Sequence, residues 1–327
     1  MFELPSILTA EALLDKAFGR AGKVTAKGPD RMTRARNLAV ARVKTAGHEI
    51  ESSLRSYVKG FPSIDRLPPF YRELVDVLLD RGKLKKHLGA VDWAAGKTAE
   101  IARDYRRRIG RAPGKEIGRL RKEAYGRLSS LVYQVDKDLG GLVEARKALR
   151  RVPAIDPELP TIVVAGYPNV GKSSFVRAVS TGRPKIADYP FTTKGVSLGH
   201  IERGVRRYQV LDTPGILDRP METRNRMERQ AIAALAHVAD AVLFVLDPTE
   251  TCGYPLDAQM RLLSEVQALF PEVPIVVVEN KADLEGPTKG HVRISTLTGA
   301  SVGEVLDLLL GKVTSRGPGV APRAAAP

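Results

Sequence analysis

Apolar residues in the first 150 positions recur at intervals of three and four, the spacing that lines them along one face of an α-helix. No stretch of this half alternates apolar and polar residues with the period of two that is typical of a strand, and no internal repeat is present. The spacing predicts helices at 9–18, 30–58, about 69–78, 93–109 and 113–149. We therefore predict an N-terminal helical bundle over residues 1–152.

The pattern changes after a proline-rich linker at residues 153–160. Beyond it, short β-branched runs alternate with helical patterns, and strands that are apolar at almost every position are typical of a parallel sheet covered on both faces. Strands are predicted at 161–165, 208–211, 241–246 and 275–278, and helices at 172–180, 223–237, 256–269 and 301–311. The fold class predicted for residues 161–314 is α/β, with a mostly parallel sheet wrapped by helices. The Pro/Gly/Ala-rich tail at 315–327 is predicted to be disordered.

Charge is divided unequally between these two parts. The 327 residues carry a net charge of +15, and residues 1–150 hold 32 Lys and Arg against 18 Asp and Glu. The second half is nearly neutral, so a polyanion is expected to bind the helical half. A single cysteine, Cys252, excludes an intramolecular disulfide. No apolar run is long enough to span a membrane and no secretory signal is evident, which predicts a cytoplasmic protein.

Residues 166–173 match the phosphate-binding pattern GxxxxGK[ST] between a predicted strand and a predicted helix, the context that this pattern requires. Backbone N–H groups of such a loop surround phosphates, and the helix N-terminus adds a favourable dipole. Lys172 is expected to act catalytically on the β- and γ-phosphates, and the Ser173 hydroxyl to bind Mg²⁺. The residues predicted to contact nucleotide here are Gly166, Tyr167, Pro168, Asn169, Val170, Gly171, Lys172, Ser173 and Ser174.

Two further segments are predicted to respond to the γ-phosphate. Asp212 ends an apolar run, where it is expected to bind magnesium through water, and Gly215 closes the Asp-Thr-Pro-Gly turn and can donate its N–H to the γ-phosphate. By itself that turn is also an ordinary one. In segment 188–194, Thr193, with Thr192 as the second candidate, is expected to complete the magnesium shell and to release it after hydrolysis.

The sequence Asn280-Lys-Ala-Asp283 indicates which base is bound. Guanine presents N1–H and its N2 amine as neighbouring donors that one carboxylate, that of Asp283, can accept together, whereas adenine offers no such pair. Asn280 would hold the loop together, and the aliphatic stem of Lys281 would cover the base. Ser295 and Thr296 are placed to give a backbone N–H to guanine O6. The order of the motifs predicts GTP and GDP as ligands.

Taken together, these motifs resemble those of translation-factor-class GTPases, and the phosphate loop with Tyr189–Thr193 resembles the Obg superfamily of P-loop GTPases. The segments most similar to the nucleolar GTP-binding protein 1 family are 164–175, 193–195, 210–220 and 224–237. The resemblance is to a short, archaeal-type version. It implies a GTPase that assists assembly of the large ribosomal subunit, with the helical domain against ribosomal RNA and with ribosomal proteins or other assembly factors as partners. Glu279 stands where the family favours an apolar residue. No self-association signal is present, which predicts a monomer.

The residue after the Asp-Thr-Pro-Gly turn is Ile216, where Ras-like enzymes use a glutamine to orient the attacking water. We therefore expect slow intrinsic hydrolysis, on the order of 10⁻⁴ s⁻¹, with acceleration by a ribosomal partner. Related phosphate loops use the asparagine at the position of Asn169 to hold potassium, which predicts K⁺ as a cofactor beside Mg²⁺.

Basic residues of the helical half are predicted to bind RNA, mainly through phosphates. They are Lys83, Lys85, Lys86, Arg103, Arg106, Arg107, Arg108, Arg111, Lys115, Arg119, Arg121 and Lys122. A run of charge is also typical of a solvated helix face. Tyr105 and Tyr125 are candidate stacking rings, whereas Trp93 is predicted to lie in the core.

Two other functions stay open at this point. The protein could be a signalling or tRNA-modification-associated GTPase whose basic bundle binds a protein or a tRNA. Alternatively, the nucleotide could be a structural ligand in an RNA placeholder that has no useful turnover.

Overall fold

A computed structural model of the protein describes residues 4–187, 189 and 195–313, which divide into two compact units. The helical unit comprises the described residues up to Ser63 together with Leu79–Arg150, and the α/β unit comprises Ile64–Leu78 and the described residues from Arg151 onward. The predicted fold class is confirmed. The tail predicted at 315–327 lies outside the described residues. Among the described helices, none is long and apolar enough to cross a membrane.

The helices of the first 150 residues begin where short polar side chains cap them. The Asp30 and Asp80 carboxylates accept the backbone N–H of the residue three positions on, at 2.8 and 3.0 Å. The cap at Asp80 starts a helix twelve residues before the predicted start at 93, in a lysine-rich turn with little apolar periodicity. The helices are α1 (Ala10–Gly22), α2 (Arg31–Gly60), α3 (Pro69–Leu78), α4 (Arg81–Arg111), α5 (Gly114–Gln134) and α6 (Asp136–Leu149).

The core of the helical unit forms where α2 and α4 approach closely. Gly47 of α2 faces Ala102 of α4, and a Cβ at Gly47 would lie 2.5 Å from the Ala102 Cβ. Small side chains therefore let the two longest helices pack close together. Val43, Ile109 and Leu120 are buried beside this contact and join α2, α4 and α5 in one apolar cluster.

The α/β unit is built on a seven-stranded sheet in the order β2-β3-β4-β1-β5-β6-β7. Its strands are β1 (Thr161–Ala165), β2 (Lys185–Ala187), β3 (Val196–Arg203), β4 (Arg206–Asp212), β5 (Ala239–Leu246), β6 (Ile275–Glu279) and β7 (Val292–Arg293). Its later helices are α7 (Lys172–Val179), α8 (Arg226–Ala234), α9 (Leu256–Leu269) and α10 (Val302–Lys312). The pairs of β1 with β4 and β5, β5 with β6, and β6 with β7 are parallel. The motifs follow the carboxyl ends of β1, β4 and β6, so they meet at one edge of the sheet.

Strands β2 and β3 were absent from the sequence prediction. They pair antiparallel with each other, and β3 pairs antiparallel with β4. Gly199 interrupts the apolar pattern of β3, and the structure explains it, because a Cβ there would lie 2.0 Å from the Ser180 Oγ at the end of α7. The end of α7 packs so closely on β3 that only glycine fits at position 199. The strand therefore lacks an apolar side chain that would have helped to predict it from the sequence.

Helix α3 belongs to the α/β unit, although it precedes much of the helical unit in sequence and falls inside the predicted 1–152 bundle. Phe70 is buried, the Tyr71 hydroxyl donates to the Ile155 carbonyl, and Glu73 Oε1 lies 2.8 Å from Nε2 of His237. Ile155, in the predicted linker, is also buried. The first 152 residues therefore contribute to both units.

Candidate nucleotide-binding site

The phosphate loop runs from the end of β1 to the start of α7 and requires glycine at two positions. Gly166 and Gly171 have φ of 133° and 106°, and Asn169 also has a positive φ, 63°. A Cβ on Gly166 would lie 2.5 Å from the Val245 carbonyl oxygen, and one on Gly171 would lie 2.0 Å from the Asn280 Nδ2. The loop is therefore enclosed by β5 on one side and by the base-recognition segment on the other, in a backbone geometry typical of phosphate sites.

The side chain of Lys172 is held inside this loop. It is 6% exposed, and its Nζ donates to the carbonyls of Gly166 and Tyr167, both at 2.7 Å. Burial lowers the pKa of Lys172, against the opposing effect of the nearby carboxylates of Asp212 and Asp218. The Tyr167 ring packs on Tyr254, with the ring centroids 4.4 Å apart, so Tyr167 presents its backbone to the loop.

A hydroxyl and a carboxylate meet beside the lysine, at the place predicted for magnesium. The Ser173 Oγ donates to Asp212 Oδ2, while Asp212 Oδ1 is buried and has no hydrogen-bond partner among the described residues. Burial raises the pKa of Asp212. These two oxygens fit a hard divalent cation whose other ligands are water and phosphate, because Mg²⁺ is usually held by few protein groups. The described residues contain no cluster of three or more His, Cys, Asp or Glu suited to a metal.

The turn after β4 gives Gly215 a partner that the sequence interpretation missed. Its N–H, predicted to reach the γ-phosphate, donates to Asp218 Oδ2 at 2.6 Å. Arg224 is buried, and its guanidinium donates to the Gly215 carbonyl at 3.0 Å and lies 3.5 Å from Asp218. The Gly215 N–H can therefore contact a γ-phosphate only when its bond to Asp218 is given up.

Thr192 and Thr193, the candidates for the last magnesium ligand, lie outside the described residues. Tyr189, at the start of the same predicted segment, is described. It is buried, its hydroxyl donates to the Ala231 carbonyl at 2.6 Å, and burial raises the pKa of this phenol. Tyr189 is therefore attached to α8, the helix that follows the turn of Gly215.

The base-recognition segment is joined directly to the phosphate loop. Asn280 Nδ2 donates to the Val170 carbonyl at 2.8 Å and to Thr296 Oγ1 at 3.0 Å, while its Oδ1 accepts the Thr296 N–H at 3.0 Å. Asp283 Oδ1 accepts from the Ser295 hydroxyl. The residues predicted to recognise guanine therefore lie together, and Asn280 joins their segment to the phosphate loop.

Glu279, which departs from the family pattern, is buried and orders the next loop. It accepts the N–H groups of Lys289 and His291 at 2.7 and 3.2 Å and the Thr288 hydroxyl at 2.8 Å. Glu279 therefore anchors the loop at residues 288–291.

Asp247, at the end of β5, is a second residue that the sequence interpretation missed. It is fully buried and accepts from Lys281 Nζ at 2.6 Å and from the Cys252 N–H at 2.7 Å. Burial acts to raise the pKa of Asp247, but the hydrogen bonds from Lys281, Thr249 and Cys252 outweigh it and lower the pKa. The sequence does contain a signal for Asp247, because this residue comes at the end of an apolar run, as Asp212 does. Asp247 fixes the lysine expected to cover the base.

In the helical unit, some residues predicted to bind RNA form surface ion pairs. Arg107 and Arg108 lie 4.0 and 3.8 Å from Asp104, and Lys83 lies 3.7 Å from Asp80. Arg119 pairs with Glu116 and Glu123. Arg106 is half-buried. Six others have no ion-pair partner among the described residues: Lys86, Arg103, Arg111, Lys115, Arg121 and Lys122. Ion pairs between exposed side chains are weak, so the paired lysine and arginines can exchange their carboxylate partners for other anions.

The aromatic residues of this unit do not lie where the sequence placed them. Tyr105 is buried under the guanidinium of Arg108, 4.6 Å from its ring centroid, and Tyr125 stacks on Phe18 at 4.5 Å. Tyr105 is therefore closed to stacking and that candidate was wrong, whereas Tyr125 is half-buried with one ring face on Phe18 and stays a prediction. The prediction that Trp93 lies in the core was also wrong, because its side chain is 46% exposed.

Two family models match the chain. The model described as NOG1 N-terminal helical domain matches residues 2–156, and the one described as Nucleolar GTP-binding protein 1 (NOG1) matches residues 226–283. An uncharacterized protein of Methanocaldococcus jannaschii is 38% identical over 287 residues, which are 86% of this chain and 80% of that protein.

Named relatives extend the comparison. Nucleolar GTP-binding protein 1 of Saccharomyces cerevisiae is 35% identical over 289 residues, 87% of this chain, and the chain spans 45% of that relative's length. A solved structure of a nucleolar GTP-binding protein 1 from Plasmodium falciparum is 32% identical, covers 50% of this chain and 90% of its own, and has a TM-score of 0.44.

Proposed function

The chain belongs to the nucleolar GTP-binding protein 1 family of GTP-binding proteins, and on that premise we propose that it hydrolyses GTP to time a step in assembly of the large ribosomal subunit. The observation that carries the nucleotide part is the double attachment of Asn280, through Nδ2 to the Val170 carbonyl and through Oδ1 to the Thr296 N–H. A loop that reads guanine is thereby held at a fixed distance from a loop that surrounds phosphates.

Hydrolysis would use few side chains. Lys172 would leave its two carbonyl partners to neutralise the β- and γ-phosphates, and Ser173, Thr193 and, through water, Asp212 would hold Mg²⁺. A bound Mg²⁺ would offset the negative charge that develops on the leaving phosphate oxygens. Ile216 is buried and apolar, so it cannot orient the attacking water. The intrinsic rate would therefore be slow, on the order of 10⁻⁴ s⁻¹.

Potassium is proposed to stimulate this slow turnover through Asn169, whose side chain is exposed beside the phosphate loop at a left-handed backbone position. We expect hydrolysis to be at least about tenfold faster in KCl than in NaCl of equal ionic strength, since one stabilising contact of ~1.4 kcal/mol changes a rate tenfold. Phosphate release under single-turnover conditions measures the effect. Asn169→Gly, which keeps the positive φ without strain, should remove the difference between the salts. Equal rates of the unaltered protein in both salts would exclude the potassium role and leave the GTPase proposal standing.

The helical unit is proposed to bind ribosomal RNA. Its support is the charge excess of residues 1–150, 32 basic against 18 acidic groups, and the unpaired exposed cations on α4 and α5. Binding through phosphates releases counterions, so affinity for ribosomal RNA should fall by several orders of magnitude between ~50 and ~200 mM salt. An affinity that is almost constant over this range would contradict the RNA proposal.

Sedimentation with large ribosomal subunits distinguishes this function from its alternatives. We expect the protein to co-sediment with the subunit in the presence of a non-hydrolysable GTP analogue, and less in GDP. Absence from the ribosomal fractions, with binding to tRNA or to a protein instead, would favour the signalling or tRNA-modification alternative. A Lys172→Ala variant that supports subunit assembly as well as the unaltered protein would favour a placeholder without turnover.

A further inference from the structure

The single tryptophan of the chain, Trp93, lies on the surface of the helical unit, in the middle of α4. Its side chain is 46% exposed, and its indole has no hydrogen bond, ring contact or ion pair with the described residues. Burial of a tryptophan removes a large apolar surface from water, so the exposed ring forgoes a stabilisation that most tryptophans obtain.

Two of the four helix positions that neighbour Trp93 on its own face are glycines, and the other two are Ala90 and Lys97. Gly89 lies four residues before Trp93 and Gly96 lies three residues after it. A Cβ at either glycine would have no side chain or distant backbone of the described residues within 4 Å. The space beside the ring is therefore open at Gly89 and at Gly96, although each glycine costs about 1 kcal/mol of helix stability relative to alanine.

Trp93 also lies on a basic face of the helix. At ~100° per residue, Arg111 falls in line with Trp93, and Lys86 and Arg107 fall within about 40° of it, over a length of ~37 Å. All three are exposed. The acids of this face are already paired with cations, Glu100 with Lys97 at 2.7 Å and Asp104 with Arg107 and Arg108. The face therefore keeps an excess of positive charge on both sides of the ring.

We propose that Trp93 stacks on an unpaired base of RNA while Lys86, ~10 Å along the helix in one direction, and Arg111, ~27 Å in the other, bind phosphates further along the same strand. An open aromatic ring within a row of cations is the arrangement that recognises single-stranded nucleic acid. A protein partner is less suited to this face, because the buried core of a protein interface is more apolar than the rest of the surface and is depleted in charged residues, lysine among them, whereas Trp93 is the one exposed large apolar side chain among the described residues of α4. This inference rests on the proposed RNA function and adds a specific contact to it.

Because the chain has one tryptophan, its fluorescence reports this contact directly. We expect a single-stranded RNA of twelve mixed nucleotides to quench the emission at saturation, and an RNA duplex of equal charge to quench it far less, since its bases are already stacked. Binding of each RNA is measured independently by the anisotropy of a fluorescein label on the RNA. Binding by anisotropy without quenching would overturn the stacking contact and leave RNA binding in place. No binding by anisotropy would overturn the RNA function itself.

Substitutions separate stacking from other roles of the side chain. Trp93→Ala should weaken single-strand binding by about 5- to 150-fold, the loss expected for one stacked base, and Trp93→Phe should recover much of it. Trp93→Leu, apolar without a ring, should behave like Trp93→Ala. The matched control is Tyr133→Ala, which removes a ring that is 55% exposed on α5 of the same unit and should change the affinity less than twofold. Equal affinities of the Ala variant and the unaltered protein, or of the Leu and Phe variants, would overturn the proposal.

Discussion

An Asp283→Asn variant is expected to lose GTP and to accept XTP in its place. The Asp283 carboxylate is predicted to accept both N1–H and the N2 amine of guanine, and its Oδ1 is already oriented by the Ser295 hydroxyl. Asparagine presents one acceptor and one donor, so the N2 amine would face another donor, whereas the 2-oxo group of xanthine would accept from it. Losing one charge-assisted hydrogen bond of about 1.5–3 kcal/mol, and leaving the N2 amine without an acceptor at a cost of about 1–3 kcal/mol, predicts a drop in GTP affinity of two to four orders of magnitude.

Competition of GTP and XTP against a fluorescent nucleotide measures this exchange. The matched control is Asp307→Asn, which makes the same change on the exposed face of α10 in the same unit and should leave both affinities unchanged. The Asn variant can still accept from Ser295, so its fold should be retained. Tight GTP binding by Asp283→Asn would mean that this carboxylate does not contact the base.

Replacement of Lys172 by methionine is expected to weaken nucleotide binding strongly without unfolding the protein. In a bound state the lysine would neutralise phosphate charge in a buried site, and truncating one partner of such a pair costs about 2–5 kcal/mol, or 30- to 5000-fold in affinity. In the free protein the outcome is different. Burial lowers the pKa of Lys172, which means that keeping its charge inside the loop destabilises the fold. The two hydrogen bonds from Lys172 to carbonyls offset this destabilisation. The methionine variant loses two hydrogen bonds of about 1 kcal/mol each, but it also no longer has to bury a charge. Because these two effects oppose each other, we expect the free energy of unfolding to change by less than about 1 kcal/mol.

Isothermal titration with GTP and thermal unfolding without nucleotide test the two halves of this prediction. Lys312→Met, at the exposed end of α10, removes the same charge from the same unit and should preserve nucleotide binding. A Lys172→Met variant that binds GTP normally would contradict the assignment of this lysine. A fall of several kcal/mol in unfolding free energy would show instead that the lysine stabilises the loop.

Much of the α/β unit could be predicted, because each of its signals is local. Strands such as Ala239–Leu246 are apolar at nearly every position, and the phosphate loop depends on glycines at fixed spacing. The carboxyl ends of parallel strands must share one edge of the sheet, so motif order alone brought Lys172, Asp212 and Asn280 to one side. Side chains whose partners come from distant segments could not be predicted in this way. Asp247 lies 34 residues from Lys281, and nothing near Asp247 in sequence marks the lysine as its partner.

The helical unit was predicted less well, because helical periodicity shows which positions are apolar but not which of them are covered. Tyr105 and Trp93 lie on the same helix twelve residues apart, yet the first is buried and the second is exposed. Similarly, α3 has the same pattern as its neighbours, and only its contacts with Ile155 and His237 place it in the other unit.

By itself, then, the sequence determined the fold class, the order of the nucleotide motifs and the concentration of charge in the first half, because each depends on residue type and short spacing. Tertiary structure decided that Asp218 holds the Gly215 N–H, that Asn280 joins the base-recognition segment to the phosphate loop, and that Trp93 lies open to solvent. The physical reason is the same in each case. Hydrogen bonding and burial depend on which distant segments pack together, and this information is absent from the local pattern of residues.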